Sequence, residues 1–262
     1  MRSSLLVLAM VVAACERPDV LVVCHNSNCA EPQDPSHDDT VAALHESLAL
    51  VDDEGAPLID GTELDLVVHD GRCWFAHDAS RVAASIEITE AAAIVADHLR
   101  ETYDGARFLV ELELKATKDV DTSVACALAA NDILREAAAT RGLELDVMFT
   151  SYAPAMLRAV DARRPLDTEL ARSRLVLGIG IPQPLLDDNR PFAELDGLAI
   201  DVAEIHPGWI TDTALRVLRS TDVEVGAWFL DMNRETLDGL ARLRPTYVLT
   251  GQARSFRSWL DG

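Results

Sequence analysis

The chain is short of positive charge: 23 Lys and Arg stand against 44 Asp and Glu in 262 residues, for a formal net charge of −21. That balance repels polyanions, so nucleic acid is excluded as an electrostatically attracted partner, as is an anionic membrane surface. An anionic substrate would need a local cation, either a metal or a few placed Lys and Arg residues. The N-terminal apolar run Leu5–Ala14 is only about half the length of a stable transmembrane helix. No CxxC pair occurs, which tells against a zinc cluster. No glycine-rich loop follows the first strand-like run, which tells against a doubly wound nucleotide-binding sheet, the second choice of fold. There is no long low-complexity linker and no repeat beyond a strand–helix unit.

The N-terminus is informative in what it does contain. Arg2 precedes the apolar run, which ends in Val12-Ala13-Ala14-Cys15. This is the layout of an export signal, and small residues before a cysteine resemble the bacterial lipobox. The expectation is a signal peptide over 1–14, lipidation of Cys15, a tether over 15–19 and a single domain over 20–262. Such a protein is an exported, membrane-anchored lipoprotein of the cell envelope; plain secretion is the alternative, and a monomer is expected. Cys24, Cys29, Cys73 and Cys126 remain. An even set in an oxidising compartment points to disulfides, with three pairings open.

From residue 20 the chain alternates strand-like and helix-like runs. Strands are expected at Val20–His25, Glu63–Val68, Cys73–His77, Arg107–Lys115, Asp146–Tyr152, Arg174–Ile181, Gly197–Ile205, Val223–Leu230 and Thr246–Thr250. Cys73–His77 returns from Glu63–Val68 through an Asp70-Gly71 turn, a hairpin signal. Helical spacing falls at Thr40–Val51, Thr89–Tyr103, Thr122–Arg141, Pro154–Arg163, Thr211–Ser220, Arg234–Leu243 and Phe256–Leu260. Eight principal strands, most followed by a helix, predict an α/β fold: a (β/α)8 TIM-type barrel with a small hairpin excursion after strand two.

Active sites of such barrels lie at the C-terminal strand ends. Those ends carry His25, Glu63, Asp65, Glu111, Glu113, Lys115, Ser151, Asp201, Trp228 and Thr250, with His77 on the hairpin. In strand three, Leu112 and Leu114 face the helices, so Glu111, Glu113 and Lys115 face inward. Barrel interiors are normally filled with Val, Ile and Leu, so this polar stripe needs a partner. Glu63, Asp65 and Glu113 converge as hard oxygen ligands suited to one divalent cation, Mg²⁺ or Ca²⁺. Such an ion would polarise a phosphoryl oxygen. His25 and His77 can exchange protons near neutral pH, and Lys115 supplies a charge for a phosphate oxygen.

His25 at the end of strand one, Glu63-Leu64-Asp65, His77-Asp78 after the turn and Glu113-Leu114-Lys115 together resemble the glycerophosphodiester phosphodiesterase superfamily. The resemblance extends weakly through Phe149-Thr150-Ser151-Tyr152, Ala227-Trp228 and Leu249-Thr250-Gly251. It implies a barrel hydrolase for a small phosphodiester or phospholipid. His25 and His77 would be its acid/base pair, Glu63, Asp65 and Glu113 its metal ligands, and Lys115 its phosphate contact. Two departures stand out. The family's usual His-Arg-Gly is His25-Asn26-Ser27 here, and its Glu-Asn-Thr is Asp38-Asp39-Thr40. The first looks closer to the HxxN of sphingomyelinase D-like phospholipases, which leave a cyclic phosphate; that similarity implies substrate contacts for Asn28 and Trp228. A relaxed binding module on the same barrel is the non-catalytic alternative. A carboxylate-pair glycosidase would leave His25 and Lys115 without roles.

Several residues have blander readings. His37, His45, His69 and His98 read as surface or loop residues. His206 reads equally as cleft lining or packing. Glu111 reads as a structural partner of Lys115, and Asp201 has no assigned role.

Overall fold

The computed structural model describes residues 20–168, 170–179 and 198–261. The expected signal peptide, Cys15 and the tether lie outside the described residues, as do Gly180, Ile181 and Gly197 at the ends of two expected strands. The strands are β1 (Leu21–Cys24), β2 (Gly61–His69), β3 (Arg72–Phe75), β4 (Arg107–Leu114), β5 (Glu144–Ser151), β6 (Arg174–Ile179), β7 (Val202–Ile205), β8 (Glu224–Phe229) and β9 (Tyr247–Thr250). The helices are α1 (Val41–Leu48), α2 (Ile88–Glu101), α3 (Val120–Arg141), α4 (Pro154–Asp161), α5 (Asp212–Arg219), α6 (Arg234–Leu243) and α7 (Ala253–Asp261). Eight parallel strands run β1-β2-β4-β5-β6-β7-β8-β9, and β9 pairs back onto β1 to close a barrel. β3 is the antiparallel return of the hairpin on β2. The expected (β/α)8 barrel is therefore present, and the doubly wound alternative is not.

Alternation along the strands sorts the side chains. In β4, Phe108, Val110, Leu112 and Leu114 enter the large core between sheet and helices. Leu109 faces the lumen with Val23, Met148, Val176, Val202, Tyr247 and Leu249. Full burial of each aliphatic side chain stabilises the fold by about 1.5–3 kcal/mol, so the register of β4 is firmly set. Gly61 sits opposite Leu109, and a Cβ there would lie 2.2 Å from the Leu109 carbonyl oxygen. Glycine is what allows β2 and β4 to approach at the barrel floor.

β2 changes neighbours along one edge. Its residues Gly61 and Thr62 pair with β1, and Leu66 to His69 pair with β3. Two carbonyls in the gap find other donors: Glu63 accepts from Ser27 Oγ at 2.5 Å, and Asp65 from the Ala76 amide at 3.2 Å. Helix ends are capped from the sequence. Thr40 Oγ1 accepts from the Ala43 amide at the start of α1, and Gly142 closes α3 in the left-handed region at φ +68°. The disulfides are Cys24–Cys29, closing the turn after β1, and Cys73–Cys126, tying the hairpin to α3. None of the described helices is long and apolar enough to cross a membrane.

Candidate active site

The register of β2 against β4 sets Glu63 beside Glu111 and Asp65 beside Glu113, all on the luminal face. Like charges directly opposite one another repel, and all four side chains are buried. The cation that answers them in the upper layer is Lys115, whose Nζ lies 2.7 Å from Asp65 Oδ2 and 2.8 Å from Glu113 Oε2. Burial acts against its charge, yet the Asp65 and Glu113 carboxylates outweigh that and hold it above the ordinary lysine range. Asp65 answers in kind: burial alone would raise it, but Lys115 and His77 keep it below the usual aspartate range.

One lysine does not neutralise three carboxylates. Burial, then repulsion from Asp65 and Glu113, drives Glu63 well above an ordinary glutamate, and Glu113 is raised to about 7 by burial and Asp65. Asp65 Oδ1 is buried with no hydrogen-bond donor among the described residues. Glu63, Asp65 and Glu113 each present an oxygen, all within 4.8 Å of one another. This all-oxygen set fits a hard divalent cation, which would relieve the repulsion. A second grouping, Asp39, Asp65 and His77, also lies within that distance. His77 Nδ1 is 3.5 Å from Asp39 Oδ2 and 3.2 Å from Asp65 Oδ2, and these two carboxylates raise the imidazole to about 10. An imidazolium has no lone pair for a metal, so the oxygen-only set is the better cation site.

His25 sits on the other side of Glu63, with Nε2 3.8 Å from Glu63 Oε2. The turn carrying it is held by the Asn26 amide, which donates to Glu63 Oε2 at 2.8 Å. Asn26 and Ser27 adopt left-handed backbone at φ +50° and +51°, conformations that Asn tolerates better than most residues. Burial pulls the His25 imidazole down to about 4, so it is neutral at pH 7. The two histidines thus flank the carboxylates in opposite protonation states.

An aromatic wall continues from His25. Its ring lies 6.4 Å from Trp228, which also meets His206 at 4.9 Å and Trp209 at 5.5 Å, the last two edge-on. His206 therefore joins the wall, and burial lowers its pKa. Trp228 Nε1 is buried without an acceptor among the described residues.

Below the cation site lies a second polar layer. Thr150 Oγ1 donates to Glu111 Oε1, and Tyr247 OH donates to Glu204 Oε2 at 2.8 Å. Burial and the Glu204 charge raise Glu111 well above its ordinary range, and burial raises Glu204 to about 7.

The expected residues divide accordingly. His25, His77, Glu63, Asp65, Glu113 and Lys115 do come together at one barrel end, with Trp228 alongside His25. Asn28 instead fixes the loop before α1, its Nδ2 donating to the Asp34 carbonyl at 2.9 Å and to Asp38 Oδ1 at 2.8 Å. Glu111 does not pair with Lys115, because it lies one layer deeper, against Thr150 and Glu204. His98, on α2, is half-buried: it packs beside Tyr103 and Phe108, and burial lowers it to about 4. Asp201 takes a structural role, with Oδ2 accepting from the Leu175 amide at 2.8 Å. Sequence reasoning gives no role to Asp39, Glu204 or Tyr247. Asp39 is signalled only by lying in Asp38-Asp39-Thr40, where the resembled family carries Glu-Asn-Thr.

Comparison of the sequence with protein-family models and with curated proteins gives no match. Comparison of the fold with solved structures does. A phosphodiesterase from Oleispira antarctica, solved with its product sn-glycerol-3-phosphate, superposes with a TM-score of 0.63 at 16% identity, covering 92% of this chain and 97% of its own. A glycerophosphodiester phosphodiesterase from Parabacteroides distasonis gives 0.55 at 13% identity, covering 94% and 98%. A calcium-dependent phosphoinositol-specific phospholipase C from a Gram-negative Pseudomonas, recorded with myoinositol, gives 0.54 at 9% identity, covering 90% of each chain. These likenesses extend over nearly the whole chain and concern the barrel fold.

Proposed function

We propose that this protein is a metal-dependent phosphodiesterase acting on small glycerophosphodiesters or phospholipid head groups. The observation that carries the reading is the placement of His25 and His77 on either side of a buried carboxylate set, Glu63, Asp65 and Glu113, fit for a divalent cation. Glu63, Asp65 and Glu113 would hold the ion, Mg²⁺ or Ca²⁺, which when bound supplies Lewis-acid stabilisation of charge on the phosphoryl oxygens. Neutral His25 accepts a proton from the attacking oxygen. Charged His77, held by Asp39 and Asp65, donates its proton to the departing alcohol. Lys115 offers an ammonium to a phosphate oxygen, and Trp228 bounds the cleft beside His25. The solved structures of similar fold, phosphodiesterases and a phospholipase C, support this class of reaction.

The export reading is proposed with it: a signal peptide over 1–14, a lipid on Cys15 and a domain from residue 20 onward. Two disulfides in the described residues support an oxidising destination.

Phosphorus NMR with Mg²⁺ or Ca²⁺ and a panel from glycerophosphocholine to sphingomyelin tests the proposal. A linear monoester that disappears with EDTA is the expected product. A cyclic phosphate would move the protein to the sphingomyelinase D-like class, and ligand binding without turnover would make it a binding module.

A further inference from the structure

Tyr152 stands at the rim of the lumen just past the end of β5, and 45% of it is exposed. Thr150, two residues earlier, lies opposite Glu113 and faces inward, and strand alternation gives Tyr152 the same face. Contact with β6 fixes the direction of its ring. Val176 faces the lumen, so Gly178 does as well. A Cβ on Gly178 would lie 2.9 Å from Tyr152 Cε1 and 3.0 Å from Cδ1 and Cζ. The ring therefore covers the space that a side chain at 178 would fill. Gly178 in turn pairs with Glu204, so the phenol reaches the edge of the second polar layer. On the opposite flank, Ser151 Oγ donates to the Leu114 carbonyl at 2.7 Å, which sets Tyr152 level with Lys115. Partial burial, then the charges of Glu204, Glu113 and Glu63, raise the phenol above its ordinary range, so it keeps its proton.

Donors at this end of the barrel are scarce. Lys115 has three N–H groups and spends two of them on Asp65 and Glu113. The Asn26 amide is taken by Glu63, and Trp228 Nε1 is closed off by burial. The Tyr152 hydroxyl has no hydrogen-bond partner among the described residues. A phosphodiester brings two non-bridging oxygens that share its negative charge and need donors, while the surrounding carboxylates offer only acceptors. Building on the phosphodiesterase reading, we propose that Tyr152 is a further substrate-contacting residue, whose O–H donates to a non-bridging phosphoryl oxygen beside Lys115. Gly178 is then the position that leaves room for this ring.

The test is a cycle of Tyr152→Phe, Gly178→Ala and the double variant, read as kcat/KM for glycerophosphocholine with Mg²⁺ or Ca²⁺. Tyr152→Phe keeps the ring over Gly178 and removes only the O–H. It should lower kcat/KM by about tenfold to a hundredfold, the range of a hydrogen bond to a charged group. The urea midpoint and the calorimetric Ca²⁺ affinity should stay unchanged. Gly178→Ala should displace the ring, whose atoms are the nearest to a Cβ there, and so lower kcat/KM in the otherwise wild-type protein. Added to Tyr152→Phe, it should cost less than about twofold more, because the hydroxyl it displaces is already gone. A Tyr152→Phe protein as active as wild type, a loss matched by weaker Ca²⁺ binding, or two losses that multiply in the double variant overturns the proposal and leaves the phosphodiesterase reading intact. If the wild type turns over no phosphodiester, that reading falls, and calorimetric binding of inorganic phosphate with Mg²⁺ present decides. Binding at least about fivefold tighter to wild type than to Tyr152→Phe keeps the contact; equal binding removes it.

Discussion

Replacing Glu113 with Gln isolates the electrostatic tension of the upper barrel layer. In the metal-free protein the Glu113 carboxyl titrates at about 7, against 4.5 for an ordinary glutamate. A carboxyl whose folded pKa is raised holds its proton more tightly when folded, so the folded state loses stability as pH climbs from the unfolded value through the folded one. At about 1.36 kcal/mol per pH unit, the loss from Glu113 alone is about 3 kcal/mol, complete somewhat above pH 7. The total stability of the wild type will not display this cleanly. His25 and His98, both lowered to about 4, contribute in the opposite sense between pH 4 and 6.5. The difference between Glu113→Gln and wild type removes those shared contributions. Gln is isosteric with the protonated side chain, so in EDTA the two proteins should have similar urea-unfolding free energies at pH 4.5. By pH 8 the variant should be the more stable by about 3 kcal/mol. With millimolar Mg²⁺ or Ca²⁺ the ordering should reverse at pH 8, because the ion needs the carboxylate that Gln lacks. A variant-minus-wild-type difference that stays flat from pH 4.5 to 8 in EDTA would refute the reasoning.

Other expectations follow from the same geometry. His25→Gln and His77→Gln should each lower kcat by roughly 10²–10⁴, the usual contribution of a general acid or base; near-wild-type turnover in either would end the two-histidine scheme. In EDTA, NMR titration of the imidazoles should find His25, lowered to about 4 by burial, neutral at pH 7, and His77, raised to about 10 by Asp39 and Asp65, charged there. Two imidazoles both titrating near pH 6.5 would contradict the assigned states. Replacing Cys73 and Cys126 by Ser opens a loop of 53 residues and should lower stability by about 4 kcal/mol in the loop-entropy model, read as a fall in the urea midpoint under non-reducing conditions.

Much of this architecture could be read from residue order because strands advertise themselves by alternation. Leu112 and Leu114 between Glu111, Glu113 and Lys115 fixed which face was which, and Asp70-Gly71 announced the hairpin that brings His77 back. What stayed hidden depends on contacts that no local pattern encodes. Asp39 reaches His77 only because its own backbone turns left-handed at φ +55° and its amide anchors to the Asn26 carbonyl at 2.9 Å. Glu111 and Glu204 belong to strands that are not neighbours, so their meeting across the lumen follows from barrel closure. Asn28 and Asp38 bond at a separation of ten residues within a loop, where side-chain direction has no period to reveal it. The cysteine pairing was open for the same reason: four thiols permit three frameworks, and only the path of the chain selects one.

The handover along β2, from β1 at one end to β3 at the other, gives the barrel a seam. Everything from Asp70 to Glu87 hangs from that seam, including His77 and Arg81, while the closed ring of eight strands is completed without it. The segment that carries His77 is thus held to the ring along one strand edge and through the Cys73–Cys126 disulfide to α3. An insert of another length or sequence would change what stands beside Asp39 and Asp65 without reopening the ring.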